Sequence, residues 1–233
     1  MQTAVSTAKG ADSGTAGLTP TSYAILGLLA LGDRSGYQIT KRVRVGLGQL
    51  WPRAERQLYN DPRRLVAGGH VTATVEHAGQ RRRTTYSITR RGRTALKRWF
   101  ATPVRPPVLE FEGMVRVLLA DQCTVDQLRA TLEDIAEQAR TVRAEYAELG
   151  ALQADGGDPY PTRMHLNALA MRFLIGHFNH LIEWSNWALD ATSDWPDTKT
   201  PATTWAAEAS AIFRDASSYA TGDGAELPTA GGR

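Results

Sequence analysis

The sequence predicts a mainly α-helical protein in two parts, a winged helix-turn-helix domain followed by an all-α helical dimerisation domain. Three observations carry this. Over about eighty residues, apolar periodicity and turn chemistry read helix, helix, helix, hairpin, helix. Further on, apolar residues at Val125, Leu128, Leu132, Ile135, Ala139, Val142, Tyr146 and Leu149 alternate steps of three and four, the seam of a coiled coil or a long antiparallel helix pair. Between them, residues 102–107 hold three prolines and read as a linker. The predicted organisation is a disordered tail at 1–17, the winged helix at 18–101, a linker at 102–108, a helical domain at 109–220 and a disordered tail at 221–233. Both tails are rich in Ala, Gly, Thr and Ser, and bury too little apolar surface to offset ordering entropy.

In chain order, Thr19 caps the first helix, Pro20 suits its first position and Leu18 staples onto Tyr23. Ile25, Leu28 and Leu29 form its apolar face, and Gly32-Asp33 closes it. Ser35 and Gln38 make a capping box for the second helix, whose Ile39 and Val43 face inward and which ends at Gly46 and Gly48. A third helix is expected over 53–67, stopped by Gly68-Gly69. Val71, Ala73 and Val75 alternate with polar residues, as do Tyr86 and Ile88, giving two strands around a tip at 78–82. Thr89 caps a fourth helix running to Phe100. Beyond the linker come helices over 109–121, over 125–149 with a Thr124/Gln127 capping box, over 161–191 and over 202–220.

Charge separates along the chain. Residues 18–100 carry sixteen Lys/Arg against four Asp/Glu, a balance of +12; residues 101–233 carry ten against nineteen, a balance of −9. A basic first half suits a polyanion, which the acidic second half repels. A lone Cys123 excludes an intramolecular disulfide and a cysteine zinc site, and no run of eighteen apolar residues exists. These features place the chain in a reducing cytoplasm, away from membranes. Gly-rich phosphate loops, nucleophile elbows and His-Glu-x-x-His are absent, so no enzymatic activity is expected.

On a helical wheel Ala54, Leu58 and Leu65 face inward, while Arg56, Tyr59, Asn60 and Arg63 face out with Arg53 at the edge. Arg and Asn read guanine and adenine edges, and Tyr positions phosphate, so Arg53, Arg56, Gln57, Tyr59, Asn60, Arg63 and Arg64 form a candidate recognition helix for double-stranded DNA. The same residue types also suit a solvated face. Gln80, Arg81, Arg82 and Arg83 put three guanidinium groups at the hairpin tip, suited to phosphate or a narrow minor groove, or to a merely solubilising turn.

Ser35-Gly36-Tyr37-Gln38-Ile39, Leu50-Trp51-Pro52, Gln57-Leu58-Tyr59, Arg64-Leu65 and the run from Arg81 to Gly92 resemble the PadR family of transcriptional regulators across roughly residues 22–100. Residues 109–122 resemble the start of the helical domain of its longer members. The resemblance implies a homodimeric regulator, usually a repressor, on a near-palindromic operator. It implies DNA contact by Tyr59, by the third helix and by the wing, dimerisation through the C-terminal helices, and response of some members to small aromatic effectors. One departure stands out. The family usually has Pro directly after the Tyr, whereas here Tyr59 is followed by Asn60-Asp61-Pro62. A proline inside a helix costs about 3 kcal/mol, so the third helix either kinks or divides in two near Pro62.

In the arm, the 161–191 helix is apolar over a wide arc that includes Leu166, Leu169, Phe173, Leu174, Phe178, Leu181, Ile182, Trp184 and Trp187. A partner chain is the simplest way to cover it, so Leu128, Leu132, Ile135, Phe173, Leu174, Phe178 and Leu181 are expected at a homodimer interface. Phe173, Phe178, Trp184 and Trp187 are candidates for a small aromatic effector pocket, or for plain core. His177, His180 and Glu183 share a face but lack a fourth ligand, so neither a metal nor a cofactor is assigned. Two other functions suit the pattern less well, a small-molecule-binding protein with a vestigial winged helix and a protein–protein adaptor. Neither needs a basic head.

Overall fold

The computed structural model describes residues 17–51, 60–78, 81–157 and 160–220. They group into two compact units divided after Pro107. Both expected tails lie outside the described residues, apart from Gly17.

The first unit runs α1 (Pro20–Ala30), β1 (Arg34–Ser35), α2 (Gly36–Leu47), α3 (Asp61–Ala67), β2 (Val71–Ala78), β3 (Arg81–Ile88) and α4 (Arg90–Phe100). Its antiparallel sheet has the order β1-β3-β2. The caps are those the sequence specifies. Thr19 accepts from the Ser22 amide, Ser35 from Gln38 and Thr89 from Gly92, each satisfying an amide that the helix leaves without a partner. Ile25, Leu26 and Leu29 of α1 meet Ile39 and Val43 of α2, Leu65 of α3, Val71 of β2 and Ala95 of α4 in one core. Burial of each large aliphatic chain contributes roughly 1.5–3 kcal/mol.

Two features depart from expectation, and the break in the third helix is one of its two expected outcomes. β1 was not foreseen, because two residues carry no alternation; its pairing with Tyr86 and Thr85 makes it a strand. The hairpin is longer than expected, in register from Val71 opposite Ile88 to Ala78 opposite Arg81. Arg81, Arg82 and Arg83 therefore open β3 instead of forming a broad tip, since ladder hydrogen bonds use backbone groups whatever the side-chain charge. The third helix does not run unbroken over 53–67. Residues 52–59 lie outside the described residues, and α3 begins at Asp61 with Pro62 in its first turn. The amide that proline lacks would have had no intrahelical partner there, so the interior penalty does not arise.

The second unit runs α5 (Glu112–Leu118), a 3₁₀ turn (Ala120–Gln122), α6 (Val125–Leu152), a π turn (Gln153–Gly157), a 3₁₀ turn (Pro161–Arg163), α7 (Met164–Ala191), α8 (Pro201–Thr204) and α9 (Ala206–Ser218). Gly156 takes φ 83° where α6 ends, a conformation that favours glycine. α6 and α7 lie antiparallel. Arg143 donates to Asn179 at 2.8 Å, Arg140 to Asn186 at 3.2 Å, and Leu128 packs with Ala188. The helix expected over 109–121 is shorter, and that expected over 202–220 breaks at Trp205.

The seam is used within the chain, which leaves little of the expected interface free. Leu128, Leu132, Ile135, Leu174 and Phe178 are buried without any second subunit, and Leu181 packs partly against the same core. Of the seven expected interface residues only Phe173, 63% exposed, has most of its surface left for a partner. α7 spends its second apolar face on α6, a possibility that a heptad pattern leaves open because it does not say whose helix fills the groove.

Candidate nucleic-acid interface

The start of α3 is fixed to the start of α1 by one buried carboxylate. Asp61 is 1% exposed and accepts hydrogen bonds from Ser22 Oγ at 3.2 Å and Thr19 Oγ1 at 3.3 Å. Arg64 pairs with Asp61 at 3.5 Å and donates to the Gly17 carbonyl at 3.1 Å. The α1 capping residues thus also hold the end of α3, which sets where Asn60 and Arg63 emerge. Both are exposed in the first turn. Arg64, expected to face a ligand, is engaged in this intramolecular tie. Arg53, Arg56, Gln57 and Tyr59 lie outside the described residues, so the expected seven-residue reading surface is represented by Asn60, Arg63 and the tied Arg64.

In the wing, Gln80 lies outside the described residues, as do the side chains of Arg81 and Arg82. Arg83 is exposed, opposite Glu76 in the ladder. At about 3.3 Å per residue the hairpin carries the Arg81 end roughly 23 Å from its base at Ile88. The base is rigidly made. Thr89 donates its hydroxyl to the Gly69 carbonyl at 2.8 Å and its amide to the His70 carbonyl at 3.0 Å. Gly92 sits so close that a Cβ would lie 2.2 Å from the His70 oxygen, so glycine is required by proximity. His70 is buried, and burial together with the nearby Arg91 charge lowers its pKa. Beside it a groove of about 400 Å³ is lined by Arg90, Arg91, Thr94, Ala95 and Arg98.

The sequence reading did not single out Thr19, Ser22 and Asp61 as positioning groups. The Thr-x-x-Ser spacing announces the cap, but its tie to a carboxylate some forty residues away has no local signal. It also passed over the exposed Lys41, Arg42 and Arg44 of α2 and Arg90, Arg91, Arg93, Lys97 and Arg98 of α4 as individuals, although their charges entered the +12 balance.

In the second unit the four aromatic residues expected to share a pocket are divided. Trp184 and Trp187 line a cavity of about 430 Å³ together with Trp195 and Trp205. Phe178 is buried against Tyr146, and Phe173 stacks on His177 at 6.3 Å. The reason is distance: fourteen residues from Phe173 to Trp187 span about 21 Å of helix axis. Among the described residues no group of three His, Cys, Asp or Glu is placed to hold a metal, and no helix is long and apolar enough to cross a membrane.

The family model for PadR-like transcriptional regulators matches residues 25–98. These residues are thus similar to the PadR-like domain. The matched stretch contains α2, α3, the wing, the second half of α1 and most of α4. The negative transcriptional regulator PadR of Bacillus subtilis is 36% identical over 78 residues, 33% of this chain and 43% of that protein. The chain spans less than half the length of the curated relatives it matches. Crystal structures of B. subtilis PadR share the fold over about three quarters of this chain. The complex with operator DNA has a TM-score of 0.62 at 21% identity, covering 73% of this chain and 98% of that one; the complex with p-coumaric acid has 0.58 at 20%, covering 74% and 98%. The Vibrio cholerae virulence activator AphA has a TM-score of 0.58 at 26% identity, covering 74% and 98%. The fold class is thus that of PadR regulators, a winged helix followed by helices.

Proposed function

We propose that this chain is a transcriptional regulator that binds a near-palindromic operator as a homodimer in the cytoplasm, acts as a repressor, and is released by a small aromatic effector. The observation that carries this is the +12 balance of residues 18–100 on a PadR-like winged helix. A relative with that domain has been crystallised with operator DNA. In this reading Arg53, Arg56, Gln57, Tyr59, Asn60 and Arg63 contact the major groove, and Gln80, Arg81, Arg82 and Arg83 contact the flanking backbone or minor groove. Arg64 serves by tying α3 to the chain just before α1, through the Gly17 carbonyl.

The exposed stripe of Leu166, Leu169 and Phe173 on α7 supports dimerisation, since it is apolar and left uncovered within the unit. The cavity lined by four tryptophans supports an effector site.

The deciding experiment is footprinting on DNA flanking the chain's own coding sequence, repeated across a salt series. A protected palindrome is expected, with affinity falling steeply as salt rises. Replacing Arg81, Arg82 and Arg83 by Ala removes three cationic contacts and should weaken binding at least tenfold while flattening the salt slope. Binding unaffected by salt and by these changes defeats the proposal.

A further inference from the structure

Much of the basic charge of the first unit stands away from the third helix and the wing. α4 holds Arg90, Arg91, Arg93, Lys97 and Arg98 in eleven residues, with no acid among them. Lys97 and Arg98 complement the negative end of the helix dipole. Arg90, Arg91 and Arg93 stand at the opposite end, where positive charge opposes the dipole. Helix stability therefore does not account for them. Arg90 and Arg91 line the groove of about 400 Å³ beside His70, followed along α4 by Thr94, Ala95 and Arg98. No Asp or Glu belongs to the lining, and among the described residues neither Arg90 nor Arg91 is paired with a carboxylate.

The chemistry of the lining narrows the ligand. Its fixed charges are all arginine, and a guanidinium fork pairs bidentately with phosphate. Two such forks on neighbouring residues suit two anionic groups linked side by side. The Thr94 hydroxyl already donates to the Arg90 carbonyl at 3.0 Å, and Ala95 is buried, so the wall offers little grip on an organic portion. His70 is 5% exposed, its Nδ1 has no hydrogen-bond partner, and the Arg91 charge bears on its ring. The ring is thus a gauge of charge in the groove and not a ligand contact. The groove adjoins the base of the wing, with the far end of β3 roughly 23 Å away, so its arginines are separate from those at the hairpin tip. We infer that this groove binds an oligophosphate, two or more linked phosphoryl groups held by Arg90 and Arg91, as the free inorganic ion or as the end of a nucleotide. The inference stands whether or not the chain binds an operator.

The test is calorimetric titration of the full chain, without DNA and at physiological ionic strength, with pyrophosphate, ADP, AMP and tricarballylate. Pyrophosphate and ADP should each bind about tenfold or more tighter than AMP, which offers a single phosphoryl group, and than tricarballylate, whose charges are carboxylates. Either order between pyrophosphate and ADP supports the inference; pyrophosphate the tighter identifies the inorganic ion, ADP the tighter the nucleotide. Arg90→Gln with Arg91→Gln should weaken pyrophosphate about tenfold or more, while Arg81, Arg82 and Arg83 changed to Ala should alter it less than about twofold. Circular dichroism reports whether the variants fold. A second readout is the His70 ring by NMR. Saturation with the tighter of the two should raise its pKa toward the ordinary value, because the bound anion offsets the Arg91 charge, and leave the other four histidines in place. Equal loss in the two sets of variants would mean diffuse attraction by net charge and overturns the inference. So do tricarballylate binding as tightly as pyrophosphate, an unmoved His70, and the absence of binding by both pyrophosphate and ADP. Displacement of pyrophosphate by duplex DNA from the chain lacking Arg81, Arg82 and Arg83 overturns it as well, by assigning the groove to the DNA backbone.

Discussion

Asp61 concentrates the most structural consequence in one side chain. It is a buried carboxylate satisfied by two hydroxyls and one guanidinium from separate segments. Hydrogen bonds to charged groups are worth about 1.5–3 kcal/mol, and removing the acceptor leaves Thr19 and Ser22 short of a partner. Asp61→Ala is expected to destabilise the fold by about 2 kcal/mol or more in urea denaturation. Asp61→Asn, which keeps one acceptor oxygen, should cost less; equal loss in both would mean that the acceptor role is not what matters.

His70 makes a prediction in pH. Its pKa is lowered by burial and by the Arg91 charge, so the folded state prefers the neutral ring. Below the unfolded value of about 6.5 the unfolded chain takes up a proton that the native state resists, and stability falls with falling pH until the lower native pKa is passed. Replacing His70 by Asn should flatten the stability–pH curve just below pH 6.5. An unchanged slope there would rule His70 out as its source.

At the scale of elements, α3 shows how position changes the meaning of a residue. Pro62 looks disruptive when a helix is drawn over 53–67, yet it sits in the first turn of a helix that starts at Asp61. Proline is favoured near helix starts because the missing amide has no role there. Pro62→Ala should therefore change stability by less than about 1 kcal/mol, measured by denaturant midpoint, and not by the roughly 3 kcal/mol that relief of an interior proline would return. A gain of that larger size would show that the helix runs through this position.

The α6–α7 pair makes the same point for packing. The alternation from Val125 to Leu149 located the buried stripe well, with Leu128, Leu132, Ile135, Ala139 and Tyr146 all buried. It did not identify the helix on the other side. That helix, α7, belongs to the same chain and fills the stripe, and the apolar surface left exposed is Leu166, Leu169 and Phe173 on α7 itself.

For the whole molecule, basic and acidic charge divide between the winged-helix and helical regions, with residues 18–100 at +12 and 101–233 at −9. In the proposed function such a division lets one part meet DNA while the other is held off it, and like charge on the arms of a homodimer would favour an apolar contact between them. Leu169 is 70% exposed and Phe173 63%, on one side of α7. Changing both to Glu should convert a dimer to a monomer in sedimentation velocity while the thermal transition of the monomer persists. A dimer that survives the double change would place the interface elsewhere.

Caps, helix phases, the hairpin and the charge division are legible in the chain alone because each depends on neighbours a few residues apart: Thr19 with Ser22, Ser35 with Gln38, Thr124 with Gln127, and apolar residues at their period. The short strand β1, the tie from Asp61 to α1, the close fit of Gly92 against His70 and the gathering of Trp184, Trp187, Trp195 and Trp205 were decided only by the tertiary structure. Each joins segments distant in sequence, and local periodicity carries no record of which segment will arrive opposite.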